Sequence, residues 1–186
     1  MKKSGLTEKR MANKLFRANE HAIFIAYFKL RDYPSAKRIA KAASVSRSTL
    51  YRHHCKIQSI PKDYEKYLLT SYTRKIRPFL NKKDFSLKNF YLRTLVFISN
   101  HEEVFSALFS EGCKEIIAKM LNILKPKLAR TLRTSNRDKA YIVYTNEVLG
   151  IIEIWSKQHF VLSELNQVLN DILYLTETAS DHLTPL

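Results

Sequence analysis

The chain has 186 residues, enough for one large domain or for a small domain beside a larger one. Hydrophobic residues make up 45% and can build a core, while only 3 Gly and 5 Pro argue against a turn-rich β fold. A net charge of +15 favours polyanionic partners, and no apolar run reaches the roughly 18 residues that a membrane span needs.

The charge is unevenly spread. Residues 1–60 carry 14 Lys and Arg against 3 acids, residues 61–136 carry 15 against 7, and residues 137–186 carry 3 against 7. The N-terminal third therefore has the electrostatic footprint of a phosphate-binding surface. The start, MKKSGLTEKR, is basic but lacks a following apolar segment, so no secretory signal is expected. Cys55 and Cys113 lie far apart and form neither a metal-ligand pair nor a disulfide framework, which suits a reducing cytoplasm.

In chain order, residues 1–6 read as a basic tail, followed by a helix from Thr7 to Arg31. Leu15, Ala18, Ala22, Ile25, Ala26 and Phe28 give that helix an apolar face. Asp32-Tyr33-Pro34 breaks it. Ser35 then stands where a side chain can cap the next helix, in which Ile39, Ala40 and Ala43 recur at helical spacing. Ser44 ends that helix and Ser46 caps another. Val45 and Leu50 flank the second cap at the spacing of a hydrophobic staple. Arg47, Ser48, Thr49, Tyr51 and Arg52 are left facing outward, where a recognition helix presents side chains to base edges and phosphates.

After a connection over residues 54–60, Pro61 opens a helix that Pro78 kinks or ends. Residues 81–85 form a loop, and Ser86 caps a strongly apolar helix. Asn100 and Glu103 pair as caps for a short helix ending near Gly112. A longer helix follows from Cys113 to Arg133, kinked at Pro126. Two helices close the chain at 137–159 and 164–180, the last capped by Ser163. The expectation is an all-α protein of about nine helices, with no strand.

The run IAKAASVSRSTLYRHH resembles the helix-turn-helix of the tetracycline-repressor (TetR) family, whose usual form is IA-x-x-AGVS-x-GTLY-x-HF. Ile39, Ala40, Ala43, Val45, Ser46, Thr49, Leu50, Tyr51 and His53 match. Ser44 and Ser48 stand where the family has Gly, and His54 where it has Phe. Ser44 then meets a left-handed turn at some cost, and His54 replaces the aromatic plug between the recognition helix and the next helix.

The resemblance implies a DNA-binding domain over 1–60 and an effector-binding and dimerisation domain over 61–186. It implies a ligand-responsive repressor that binds a near-palindromic operator as a homodimer, with no cofactor. The chemistry of the motif suits Arg47 and Arg52 to guanine or phosphate, and Thr49 to a thymine methyl or phosphate. Ser35 suits a phosphate, and Lys37, Ser46 and Ser48 complete the DNA-facing set. Tyr51, His53 and Lys62 resemble family positions on backbone phosphate.

An effector pocket is implied among the middle helices, with Tyr67, Tyr72, Phe97, Phe105, Phe109 and Tyr144 as its expected lining. The last two helices resemble the family's dimerisation pair, with Ile151, Ile154, Trp155, Leu165, Val168, Leu169 and Ile172 as the expected interface. The alternative for those residues is a place in the monomer's own core. An alternative for the whole chain is a DNA-binding adaptor or activator controlled by a protein partner. Catalysis and a metal site are not expected: no Gly-rich phosphate loop, GxSxG, HExxH or Cys/His zinc spacing occurs.

Overall fold

The computed structural model describes residues 4–30, 34–110, 115–128 and 137–182. Every regular element among them is helical: α1 (Ser4–Lys29), α2 (Ala36–Ala42), α3 (Arg47–His53), α4 (Ile60–Leu80), α5 (Leu87–Ser99), α6 (Glu102–Ser110), α7 (Glu115–Asn122), α8 (Lys125–Leu128), α9 (Arg137–Lys157) and α10 (Leu165–His182). Single 3-10 turns at Ile57–Ser59 and Leu162–Glu164 lead into α4 and α10. No helix among the described residues is long and apolar enough to cross a membrane.

The chain divides into two compact units, Met1–Leu68 and Leu69–Leu186. The division falls inside α4, beyond the boundary at residue 60 expected from composition.

In the first unit, Ile23, Phe24, Ile25 and Ala26 of α1 are buried with Ile39 and Ala40 of α2, Leu50 of α3, and Ile60, Tyr64 and Leu68 of α4. Phe24 stacks on Tyr64 with centroids 4.1 Å apart, and His21 Nδ1 lies 2.8 Å from the Tyr64 hydroxyl. The expected apolar face of α1 is thus half right. Leu15 is 64% exposed and Ala18 is also exposed, so only the C-terminal half of α1 meets the core. The helix starts at Ser4, ahead of Thr7.

In the second unit, α10 packs on α9 and α5, and α9 also meets α6 and α7. Two hydroxyl chains run through this core. The Thr94 hydroxyl donates to the Phe90 carbonyl at 2.9 Å, so the Tyr72 hydroxyl, 2.8 Å away, must donate to Thr94. By the same logic Thr176 donates to the Ile172 carbonyl at 2.9 Å, and Tyr144 donates to Thr176 at 2.8 Å. Tyr91 therefore donates to Tyr144. This second chain ties α5, α9 and α10 together. Burial pushes all of these tyrosines above the ordinary phenol value, so they remain neutral donors.

Local chemistry explains where the helices stop. Ser86 accepts from the Asn89 amide and caps α5, as expected. Asn100 closes α5 as its C-cap. The single long helix expected up to Arg133 is instead two short ones. Pro126 lacks an amide proton and its ring would clash with the carbonyl one turn back, so α7 ends at Asn122 and Pro126 falls in the first turn of α8. Pro78 interrupts nothing, because it lies in the last turn of α4. Ser163 does not cap α10 but lies within the preceding 3-10 turn. The expectations for Asp32, Tyr33, Gly112, Cys113 and Thr134–Asn136, and for the side chain of Thr7, concern positions outside the described residues.

Beyond α9, two left-handed residues, His159 and Phe160 (φ 55° and 50°), reverse the chain. The reversal carries Phe160 edge-on to Trp155, with centroids 5.1 Å apart, and lets Trp155 Nε1 donate to the Val161 carbonyl at 3.1 Å.

Candidate nucleic-acid interface

The segment from Ser35 to His53 folds as two short helices around a tight turn. Ser35 accepts from the Arg38 amide at 3.4 Å and opens α2. The Val45 amide reaches back to the Ala40 carbonyl at 2.9 Å, and Ser44 takes a φ of 54°. The left-handed turn is therefore made by a serine, as the missing glycine implied. Ser46 then accepts from the Thr49 amide at 3.0 Å and donates to the Thr49 hydroxyl at 2.9 Å, with the Ser48 hydroxyl 2.7 Å away. These hydroxyls knit the first turn of α3 and fix its entry angle.

The inward residues anchor this scaffold. Ile39, Ala40, Ala43 and Leu50 are buried, and Val45 is half-buried. Around them Ser35, Lys37, Ser46, Arg47, Ser48, Tyr51 and Arg52 are exposed, and Thr49 is half-buried. Lys62 is exposed in the first turn of α4. Arg38, Lys41 and Lys56 are exposed as well and extend the cationic surface. Arg38 and Lys41 were missed, although they flank the buried Ile39 and Ala40 at helical spacing and were legible by that rule.

His53 needs correction. It was expected to reach a backbone phosphate, but its ring stacks on Phe16 with centroids 3.9 Å apart, and both ring nitrogens are enclosed. Burial, with His54 and Arg52 alongside, holds its imidazole below the ordinary value. A neutral, enclosed ring has no N–H to offer an anion.

His54 fills the place of the missing Phe. Its side chain is 1% exposed, and Nδ1 lies 3.1 Å from Asp63 Oδ2 in the first turn of α4. Asp63 also accepts from Ser59 at 2.7 Å. That hydrogen bond, then the one from His54, holds the Asp63 carboxyl below the usual carboxylate range. Glu20 on α1 is affected by both groups: burial pushes its carboxyl up, while the charge of His54 pulls it down.

The second unit holds a cleft of about 330 Å³ between α4 and α5. Tyr72, Ile76 and Phe97 form part of its apolar lining, and Lys75, Arg93, Asn89 and Asn100 supply polar groups. Lys75 Nζ sits 5.1 Å from the Phe97 ring and the Arg93 guanidinium 3.5 Å from Phe79, so aromatic faces position both cations. No carboxylate lines this cleft. Of the expected pocket residues, Tyr72 and Phe97 belong to it. Phe105 and Phe109 instead pack near Phe160, Tyr144 is spent in the hydroxyl chain, and Tyr67 neighbours Tyr64 in the first unit.

The expected dimer residues divide in a similar way. Trp155, Leu165, Val168, Leu169 and Ile172 are buried in the unit's own core, so they have no surface to give a partner. Ile154 is 62% exposed and Ile151 half-exposed. Val143, 51% exposed, shares one face of α9 with Ile154 and with Gly150, where an added Cβ would meet nothing within 4 Å. Tyr174 of α10 is 66% exposed. Among the described residues no group of His, Cys, Asp or Glu is placed to hold a metal ion. Comparison of the chain with known protein families, with curated proteins and with solved structures finds no match.

Proposed function

We infer that this chain is a DNA-binding transcriptional regulator of the TetR type, acting as a homodimer and answering to a small molecule. The observation that carries the reading is the doubly capped α2–turn–α3 segment. It buries Leu50 and Ile39 while leaving Arg47, Ser48, Tyr51 and Arg52 exposed on one short helix. A stiff, cationic, hydroxyl-rich helix offers bidentate donors to guanine and phosphate. Two such helices in a symmetric dimer would meet successive major grooves roughly 34–36 Å apart.

The exposed stripe of Val143, Gly150 and Ile154 supports self-association, since a glycine among β-branched residues lets two helices approach closely. The cleft beside Tyr72 and Phe97 supports an effector with an apolar body and an anionic group facing Lys75 and Arg93. Such a ligand would act by preferring one of two states that differ in DNA affinity.

A gel shift on the DNA flanking its own gene tests the reading. Wild type should bind, and the binding should weaken steeply with salt. Arg47→Ala combined with Tyr51→Ala should weaken it by about 2–5 kcal/mol, taking about 1–3 for each lost base or phosphate anchor. Equal binding by the double variant would overturn the assignment of α3.

A further inference from the structure

We propose that His54, Asp63 and Glu20 form a proton-operated latch that sets the fit of α3 against the start of α4, and that it tightens as the surroundings turn weakly acid. His54 ends α3 as its C-cap, with its amide bonded to the Leu50 carbonyl at 2.9 Å, so its ring reports the position of the helix it closes. The ring is almost wholly buried and spans to Asp63 in α4. With Asp63 ionised, Nδ1–H is the donor of that bond. The proton that charges the ring must then go to Nε2, which is enclosed and has no hydrogen-bond partner among the described residues.

An aromatic plug at this position would be insensitive to pH; an imidazole is the side chain whose ordinary titration lies between about pH 5 and 8. Its surroundings favour the charged form. From α1 the acid is Glu20, with Arg17 acting on it in turn. From α4 the acid is Asp63, with Lys66 acting on it, and Ser59 donates to the same carboxylate. From α3 come His53 and Arg52, whose charges oppose, but His53 is itself held below its ordinary value and stays neutral in this range.

Asp63 lies below the usual carboxylate range, so it remains charged throughout the weakly acid window. Protonation of His54 therefore converts one hydrogen bond into an ion pair between the end of α3 and the first turn of α4. Loss of that proton leaves Nε2 a buried acceptor with no donor, and the joint loosens.

The test uses the full chain and a titration from about pH 8 to about pH 5.5 at constant ionic strength, followed by histidine-ring and amide NMR. The His54 ring is expected to titrate in this range, with amides from Leu50 to Ile60 shifting alongside. His54→Phe, which restores an aromatic plug, should abolish those amide shifts, and Asp63→Asn should reduce them. A His54 ring that stays unchanged over the range, or amide shifts that persist in both variants, would overturn the latch.

The effect on DNA rests on the regulator reading and is measured separately, by anisotropy with a labelled duplex from the DNA flanking the gene. Wild type should bind about fivefold tighter or more at the acid end, relative to the slope of His54→Phe. Parallel slopes would overturn the regulatory role. No binding by either protein at any pH, with the ring titration intact, would refute the DNA reading and leave the latch standing.

Discussion

Ser44 shows how one side chain can be tolerated at a cost. Its φ of 54° places an L-residue in the left-handed region, which glycine enters freely. Ser44→Gly should stabilise the first unit by about 1 kcal/mol, which raises the melting midpoint of a domain this size by about 4–8 °C. Calorimetry checks it, and an unchanged or lowered midpoint would mean that the serine hydroxyl compensates for the strain. At this scale much was legible from sequence. Ser35, Ser46 and Ser86 act on amides three residues away, and such short-range bonds depend on little beyond their own turn. The adjacent His53 and His54 were not legible. Which ring stacks on Phe16 and which reaches Asp63 is decided by α1 and α4, elements distant in the chain.

At the scale of elements, the hydroxyl chain Tyr91–Tyr144–Thr176 is directional, because the threonine's only proton is committed to a carbonyl. Its members are therefore unequal. Tyr91→Phe removes the terminal donor and should cost about 1 kcal/mol, while Tyr144→Phe breaks both links and strands the Tyr91 hydroxyl, for about 2–3 kcal/mol. Urea denaturation of the two variants checks the order, and equal costs would contradict the assigned direction. Aromatic spacing alone could not reveal this. Tyr72, Tyr91 and Tyr144 read as core or as pocket lining with equal ease, and only the facing threonines on α5 and α10 decide between those roles. Helix ends were more legible, except near Pro126, where the proline opens a helix and does not bend one.

For the whole molecule, the all-helical class followed from scarce glycine and helical periodicity, whereas the association surface did not. Apolar residues occur around most of α9, so sequence could not separate the side facing α10 from the side left open. Burial separates them: Trp155 and Ile152 point in, while Val143 and Ile154 remain exposed. Ile154→Lys should leave the helix content and stability of one chain within about 0.5 kcal/mol, since the side chain adds nothing to its own core. It should also break self-association, because a lysine ammonium at the centre of the contact would be buried without a partner. Light scattering should then fall from a multiple of the 21.8 kDa chain mass to that mass. Wild type already at the single-chain mass, or a variant still at the multiple, would remove α9 as the contact.

The reversal after α9 gives the protein a built-in spectroscopic reporter. Trp155 is the single tryptophan of the chain; it is fully buried, edge-on to Phe160 and hydrogen-bonded to the Val161 carbonyl. Its emission therefore follows the melting of the second unit alone, while circular dichroism sums the helices of both units. A denaturant series recorded with the two signals can thus separate the unfolding of the regulatory half from that of the half bearing α2 and α3, without adding a label.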